Sequence, residues 1–228
     1  MRIGMLHATP LAQTPAALAC AEVMPDVEQW HLLDDRLLPD LKRESGLTPR
    51  LRRRFLGLLG VLLEGGADGV LVTCSSFSEL TDVAEIYHGA PVVKPDAAMY
   101  RRVAADRPDA VALVASTESA FPPALTQLRY YDAADVTVHR VLVIPVPVGG
   151  EPDVASWRDP VATAIDQGAS AIVLAQYSLG PAADALADMF GVPVHSGAHA
   201  AALELKNRLG LSDRSDSEAT DTAGKVSR

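Results

Sequence analysis

The chain has 228 residues, 48% hydrophobic but only 5% aromatic, so it can bury one large core or two small ones made mainly of Ala, Val and Leu. Its formal net charge of -9 argues against nucleic acid as the main partner, and no apolar run reaches the roughly 20 residues that cross a bilayer. Met1 to Leu6 moves straight into strand pattern without a signal-peptide core, and two cysteines, Cys20 and Cys74, are too few for a disulfide framework; both features predict a cytoplasmic protein.

Strand and helix signals alternate along the whole chain, the pattern of a parallel α/β fold. Residues 2–7 read as a strand, followed by a loop with Thr9, Pro10, Thr14 and Pro15 and a helix to about Met24. Val27 to Leu33 is a weaker strand, and the polar stretch 34–46, with Pro39 and Gly46, reads as a loop over a cleft. Thr48-Pro49 supplies an N-cap and a first-turn proline for a helix whose apolar face carries Leu51, Phe55, Leu58, Leu59 and Leu62, ending at Gly65-Gly66. A buried strand runs to Thr73, then comes Cys74 and a helix to about Tyr87. Pro91 to Val93 is a short strand, and Lys94-Pro95-Asp96 opens a helix to about Ala105. Val111 to Ala115 is a strand ending at Ser116-Thr117, before a helix with Pro122-Pro123 near its start. Val136 to Val143 is the next strand; residues 144–153 are a Pro/Gly-rich loop, and 154–167 a helix. The strand Ala171 to Leu174, a short strand at Pro193-Val194 and a helix to about Leu209 follow. Residues 211–228 have almost nothing to bury and read as a disordered tail.

The chain repeats itself. Gly66-Ala67-Asp68-Gly69-Val70-Leu71-Val72-Thr73-Cys74-Ser75-Ser76 matches Gly168-Ala169-Ser170-Ala171-Ile172-Val173-Leu174-Ala175-Gln176-Tyr177-Ser178, 102 positions on. Pro91-Val92 matches Pro193-Val194 at the same offset, and the strand Ile3 to Thr9 matches Val111 to Thr117 at 108. Two copies of one α/β unit are the simplest account. Such units bind ligands at the C-terminal ends of their strands, so two facing copies would enclose a cleft lined by Thr9, Cys74, Thr117 and Gln176.

Cys74 falls at a strand end before a helix, where unpaired N–H groups and the helix dipole favour a thiolate. Cys20, among alanines in a helix, reads as an inert buried thiol. Thr9, Ser116 and Thr117 suit either hydrogen bonding to a carboxylate or helix capping. Tyr177 could point a phenol into the cleft. Lys94 and Asp96 read as a solvated pair at a helix start, His7 and His195 as structural histidines, and Arg50, Arg52, Arg53 and Arg54 as a solvated helix face. No P-loop, G-x-G-x-x-G or metal-ligand spacing occurs.

The two motifs at 66–76 and 168–178, together with the strand before Ser116-Thr117, resemble the aspartate/glutamate racemase superfamily, which includes hydantoin racemases, maleate isomerases and arylmalonate decarboxylases. The resemblance covers about residues 1–209. It implies two α/β domains related by a pseudo-twofold axis, each a short parallel sheet flanked by helices, with the active site between them. The expected halves are 1–94 and 95–197, with helix 198–209 packing back on the first. It also implies cofactor-independent chemistry, with no metal, at the carbon next to a carboxylate, and a homo-oligomer.

Family racemases use one cysteine from each half. Cys74 matches the first, but Gln176 stands where the second belongs, and an amide cannot exchange a proton near neutral pH. The expectation is a cytoplasmic racemase-family isomerase acting on a small carboxylate, with Cys74 as acid/base or nucleophile and Gln176 orienting or stabilising the intermediate. Thr9, Thr73, Ser75, Ser76, Ser116, Thr117 and Tyr177 are expected to bind the substrate. A single-cysteine decarboxylase, a maleate-isomerase-like enzyme and a non-catalytic small-acid binder are the alternatives.

Overall fold

Along β1 (Arg2–His7), Ile3 and Met5 face one way and Gly4 and Leu6 the other, and the residues from Ile3 to His7 are all buried. A strand buried on both faces needs helices above and below it. The computed structural model describes residues 1–131, 135–147 and 150–211 and supplies those helices on both sides of two parallel sheets. The first half contains α1 (Gln13–Val23), β2 (Glu28–Leu33), α2 (Leu37–Arg43), α3 (Pro49–Glu64), β3 (Gly69–Val72), α4 (Thr81–His88) and β4 (Val92–Val93). Then follow α5 (Ala97–Asp106), β5 (Ala110–Ala115), α6 (Phe121–Tyr130), β6 (Thr137–Leu142), α7 (Val154–Asp166), β7 (Ala171–Leu174), α8 (Ala183–Phe190), β8 (Val194–Ser196) and α9 (Gly197–Arg208).

The two sheets have one topology. Their strand orders are β2-β1-β3-β4 and β6-β5-β7-β8, every pair parallel. The repeat extends to the turns: α4 and α8 each end on a glycine at φ 66°, Gly89 and Gly191, a left-handed cap that a Cβ would strain. Two helices cross between the halves. Ala201, Ala202 and Leu205 of α9 share a core with Ile3, Met5 and Leu71 of the first sheet and with Ala16 and Cys20 of α1. Met99, Tyr100 and Val103 of α5 share one with Val111, Leu113 and Val173 of the second sheet.

Two expectations are corrected. Residues 34–46 are not simply a loop: they contain α2, with Leu37 fully buried and Pro39 in the first turn, where no backbone N–H is needed. Nor is the basic run of α3 a free solvated face. Asp40 of α2 is buried and takes Arg50 at 3.2 Å and Arg54 at 3.1 Å, and Arg52 pairs with Glu79 at 2.7 Å. The expected tail lies outside the described residues except for Leu211, which packs on the core of α1 and α9. Among the described residues no helix is long and apolar enough to cross a membrane.

His7 is a satisfied structural histidine. The Thr73 hydroxyl donates to Leu6 O at 3.2 Å and so accepts from His7 Nδ1 at 3.0 Å. His7 Nε2 is left to accept from His31 Nδ1 at 3.0 Å, with the rings stacked. Burial first, and the neighbouring His31 second, push His7 down to about 3; burial also lowers His31. A depressed histidine stabilises the fold fully above its unfolded pKa of about 6.5, and that contribution fades as pH falls towards the folded value. Wild-type protein should therefore lose melting temperature between pH 7 and pH 4.5, by about 5 °C or more. His7→Asn, which keeps a donor and an acceptor, should show a smaller drop. Equal acid sensitivity in the two proteins, followed by circular dichroism, would contradict this account.

Candidate active site

Each of the four inner strands runs into a 3-10 turn before its helix. The turns are Pro10–Ala12, Ser75–Leu80, Glu118–Ala120 and Tyr177–Ala182. The residue capping each is Thr9, Cys74, Thr117 and Gln176, all in extended backbone. The four matched positions of the repeat are thus one structural position used four times. The turn after β1 packs against the turn after β7, so strand ends of the two halves meet at a seam.

Cys74 is half-buried. The helix expected to follow it directly is a six-residue 3-10 turn, so the aligned dipole of a long helix does not act on the sulfur. Burial pushes the thiol up to about 11; the Ser76 N–H and hydroxyl at the sulfur pull it down, and the charge of Asp96 adds to the rise. The expected thiolate is therefore corrected: Cys74 rests as the protonated thiol. Cys20 is fully buried and pushed up to about 12 by burial alone.

Gln176 is fixed by a donor that cannot reverse. The Ser116 backbone N–H donates to its Oε1 at 2.7 Å, and the Ser116 hydroxyl donates to the same oxygen at 3.0 Å. The oxygen end of the amide is therefore assigned, and the NH2 end is the one left to donate elsewhere. In the first half Ala8 stands where Ser116 stands in the second, so nothing equivalent holds Cys74.

The remaining predicted residues divide. Ser76 and Thr117 are exposed, and Thr9 is half-buried, its oxygen accepting from Leu11 N at 3.4 Å. Thr117 Oγ1 lies 3.3 Å from Ser119 Oγ. Thr73 is buried with its hydroxyl given to Leu6 O, so it has no proton for a substrate. Tyr177 does not present a phenol to the seam. It is buried and donates to Pro95 O at 2.8 Å, and burial raises its pKa far above the usual phenol value. A Cβ on Gly197 would lie 2.9 Å from that same carbonyl and 3.1 Å from the Tyr177 ring, so only glycine lets the chain pass there. Ser75 Oγ donates to Asp96 Oδ2 at 2.6 Å.

Asp96 is the residue that the sequence reading missed. It is 8% exposed, not a solvated partner of Lys94, whose ammonium bonds Asp82 at 2.8 Å instead. Burial raises the Asp96 carboxyl, and the Ser75 hydroxyl holds it back. The repeat carried the signal: the position matching Asp96 is Ala198, a buried alanine. His195 sits beside Asp106 at 3.5 Å and is lowered by burial; it lines a cavity of about 560 Å³ that contains none of the four strand-end residues. Among the described residues no cluster of His, Cys, Asp or Glu is arranged to hold a metal ion.

Together these features define an α/β protein of two matched sheets whose strand ends carry one thiol and one amide at matched positions. The chain belongs to the Asp/Glu/Hydantoin racemase family, whose model matches residues 14–205. No curated protein sequence matches it. Among solved structures it is similar to allantoin racemase from Klebsiella pneumoniae, at TM-score 0.66 and 18% identity over 92% of this chain and 88% of that one. It is also similar to arylmalonate decarboxylase, at TM-score 0.65 and 19% identity over 93% and 94% of the two chains. A third is glutamate racemase from Francisella tularensis in complex with D-glutamate, at TM-score 0.62 and 13% identity over 92% and 81%. The fold is therefore that of a family of racemases and a decarboxylase.

Iodoacetamide should modify Cys74 before Cys20, with a rate rising about tenfold per pH unit up to roughly pH 10, because only the thiolate reacts. Asp96→Asn removes a buried charge that opposes that thiolate. It should speed labelling of Cys74 at pH 8 by about three- to tenfold. Faster labelling of Cys20, read by mass spectrometry, or a slower Asn variant, would refute the assigned electrostatics.

Proposed function

We propose a cofactor-independent enzyme that places a proton on one face of the carbon next to the carboxylate of a small acid, with Cys74 as its only proton carrier. The observation that carries this reading is the pairing of a half-buried thiol with an amide whose oxygen is already bound by Ser116. The free NH2 of Gln176 can donate to a carboxylate or to a developing enediolate oxygen, the type of preorganised contact that stabilises such an intermediate. Ser76, Thr9 and Thr117 are the hydroxyls left to bind substrate oxygens. Thr73, Ser75, Ser116 and Tyr177 hold the frame instead.

The protonation state of Cys74 decides between reactions. Burial holds the thiol well above its usual range, so the resting group at pH 7 is the neutral thiol. Two-base racemisation needs a thiolate on one face and a second carrier on the other, and Gln176 supplies neither. Decarboxylation needs only the thiol. The bond between the α-carbon and the departing carboxylate breaks to release carbon dioxide, its electron pair stays on the α-carbon as an enediolate, and the Cys74 proton moves to that carbon. The thiolate left behind recovers a proton from water. A second reading, an isomerase that moves a proton along one face, uses the same residues but needs the Cys74 thiolate, which burial disfavours.

The test is incubation in deuterium oxide with arylmalonates and with single enantiomers of aspartate, glutamate and hydantoins, following configuration and deuterium together. One deuterium with one stereochemical outcome is expected. Cys74→Ser should lower turnover by roughly 10²- to 10⁴-fold. Rapid symmetric interconversion of enantiomers would refute the single-carrier mechanism. Binding of these acids with no exchange or turnover would leave a binding protein of the same fold.

A further inference from the structure

The cavity of about 560 Å³ that holds His195 is lined by residues of α1, α5, β8 and α9 and of the turn leading into α8. Its chemistry emerges when the two copies of the repeat are compared. The offset of 102 pairs Asp184 with Asp82 and Ser196 with Lys94, and the offset of 108 pairs Glu22 with Tyr130. In the first copy the Lys94 ammonium donates to Asp82 at 2.8 Å, so an alkylammonium arm joins the end of β4 to the start of α4. In the second copy the lysine has become a serine. Ser196 and Asp184 both line the cavity, and Asp184 makes no hydrogen bond or ion pair among the described residues. The Tyr130 position has become Glu22, a second carboxylate at the cavity, 3.6 Å from His199 Nδ1.

Arg102 brings the opposite charge. It lines the cavity without a hydrogen bond or ion pair among the described residues, whereas its neighbour Arg101 pairs with Glu204 at 2.6 Å. Leu18, Met99 and Val194 line the cavity with apolar atoms. His195 lines it too, only 8% exposed; its Nε2 makes no hydrogen bond, and the Asp106 carboxylate stands 3.5 Å off. A buried polar group left unpaired by the chain itself is uncommon and calls for a partner.

We propose that this cavity binds a small ω-amino acid, an ammonium joined by a short methylene chain to a carboxylate. The ammonium takes the part that Lys94 plays in the first copy and pairs with Asp184 and Glu22. The methylenes lie along Leu18, Met99 and Val194, and the carboxylate pairs with Arg102. Glu22 belongs to the first copy of the repeat and Asp184 to the second, so one ligand joins the two. The site shares no residue with Cys74 and Gln176 and serves a ligand other than the substrate.

Titration calorimetry of the full chain tests this with three probes: δ-aminovalerate, n-butylamine, which is the lysine arm alone, and valerate, which lacks the ammonium. δ-Aminovalerate should bind, n-butylamine about tenfold or more weaker, and valerate not measurably. Asp184→Asn and Arg102→Gln should each weaken δ-aminovalerate by about tenfold or more with unchanged melting temperature, while Gln176→Ala should leave its affinity unchanged. Ser196→Lys should restore the pair of the first copy in the second, and so abolish binding without lowering the melting temperature. No binding by the wild-type chain would overturn the proposal. So would binding that survives Asp184→Asn but is lost in Gln176→Ala, which would put the probe at the strand ends instead. A folded Ser196→Lys chain that still binds would overturn the correspondence with Lys94; if that variant does not fold, the Asp184 and Arg102 variants decide.

Discussion

Everything at the seam depends on two short hydrogen bonds to neighbouring residues. Ser75 donates to the Asp96 carboxylate at 2.6 Å, and Tyr177 donates to the Pro95 carbonyl at 2.8 Å. Ser75 and Tyr177 are matched positions of the repeat, each following its strand-end residue. The two copies have specialised so that both converge on Pro95-Asp96, the link between β4 and α5. One bond ends on a buried carboxylate and the other on a backbone carbonyl, so neither acceptor can be replaced by water without leaving a buried group unpaired. The position of Cys74 relative to Gln176 is set through this pair.

The same divergence separates the roles of the halves. In the second half Ser116 anchors an amide; in the first, Ala8 leaves the thiol to Ser76. A buried carboxylate beside Cys74 matches an alanine, Ala198, on the other side. One buried carboxyl thus lies beside the thiol in the first half, and a fixed donor stands at the matched position of the second. That arrangement favours keeping the proton on sulfur.

Much of this was legible in the sequence because it is periodic. Short apolar runs gave the inner strands, and the offsets of 102 and 108 gave the paired topology and the four strand-end positions. What escaped was tertiary. Residues 34–46 look like a loop because their polar side chains are counted as solvated, whereas Asp40 is buried under the arginines of α3. Tyr177 and Thr73 lie beside strand ends in sequence, but their direction depends on acceptors, Pro95 O and Leu6 O, that only the folded chain brings near. Asp96 looked solvated because Lys94 stands two residues away, and Lys94 bonds elsewhere. The state of Cys74 depended on how long the following helix is and how dry its surroundings are, neither of which the motif encodes.

The crossing of α5 and α9 has a consequence for how the chain is made. The face of the first sheet that carries Ile3, Met5 and Leu71 is covered partly by α1 and partly by α9, the last helix. Roughly 100 residues separate β4 from α9, which at ordinary elongation rates is about 5–20 s of synthesis. For that interval the nascent first half exposes part of a sheet that its own residues cannot close. The second half meets no such delay, since α5 emerges ahead of the sheet it covers. Vectorial synthesis thus makes the C-terminal lobe the one able to fold without waiting and the N-terminal lobe, with its thiol, the one completed last.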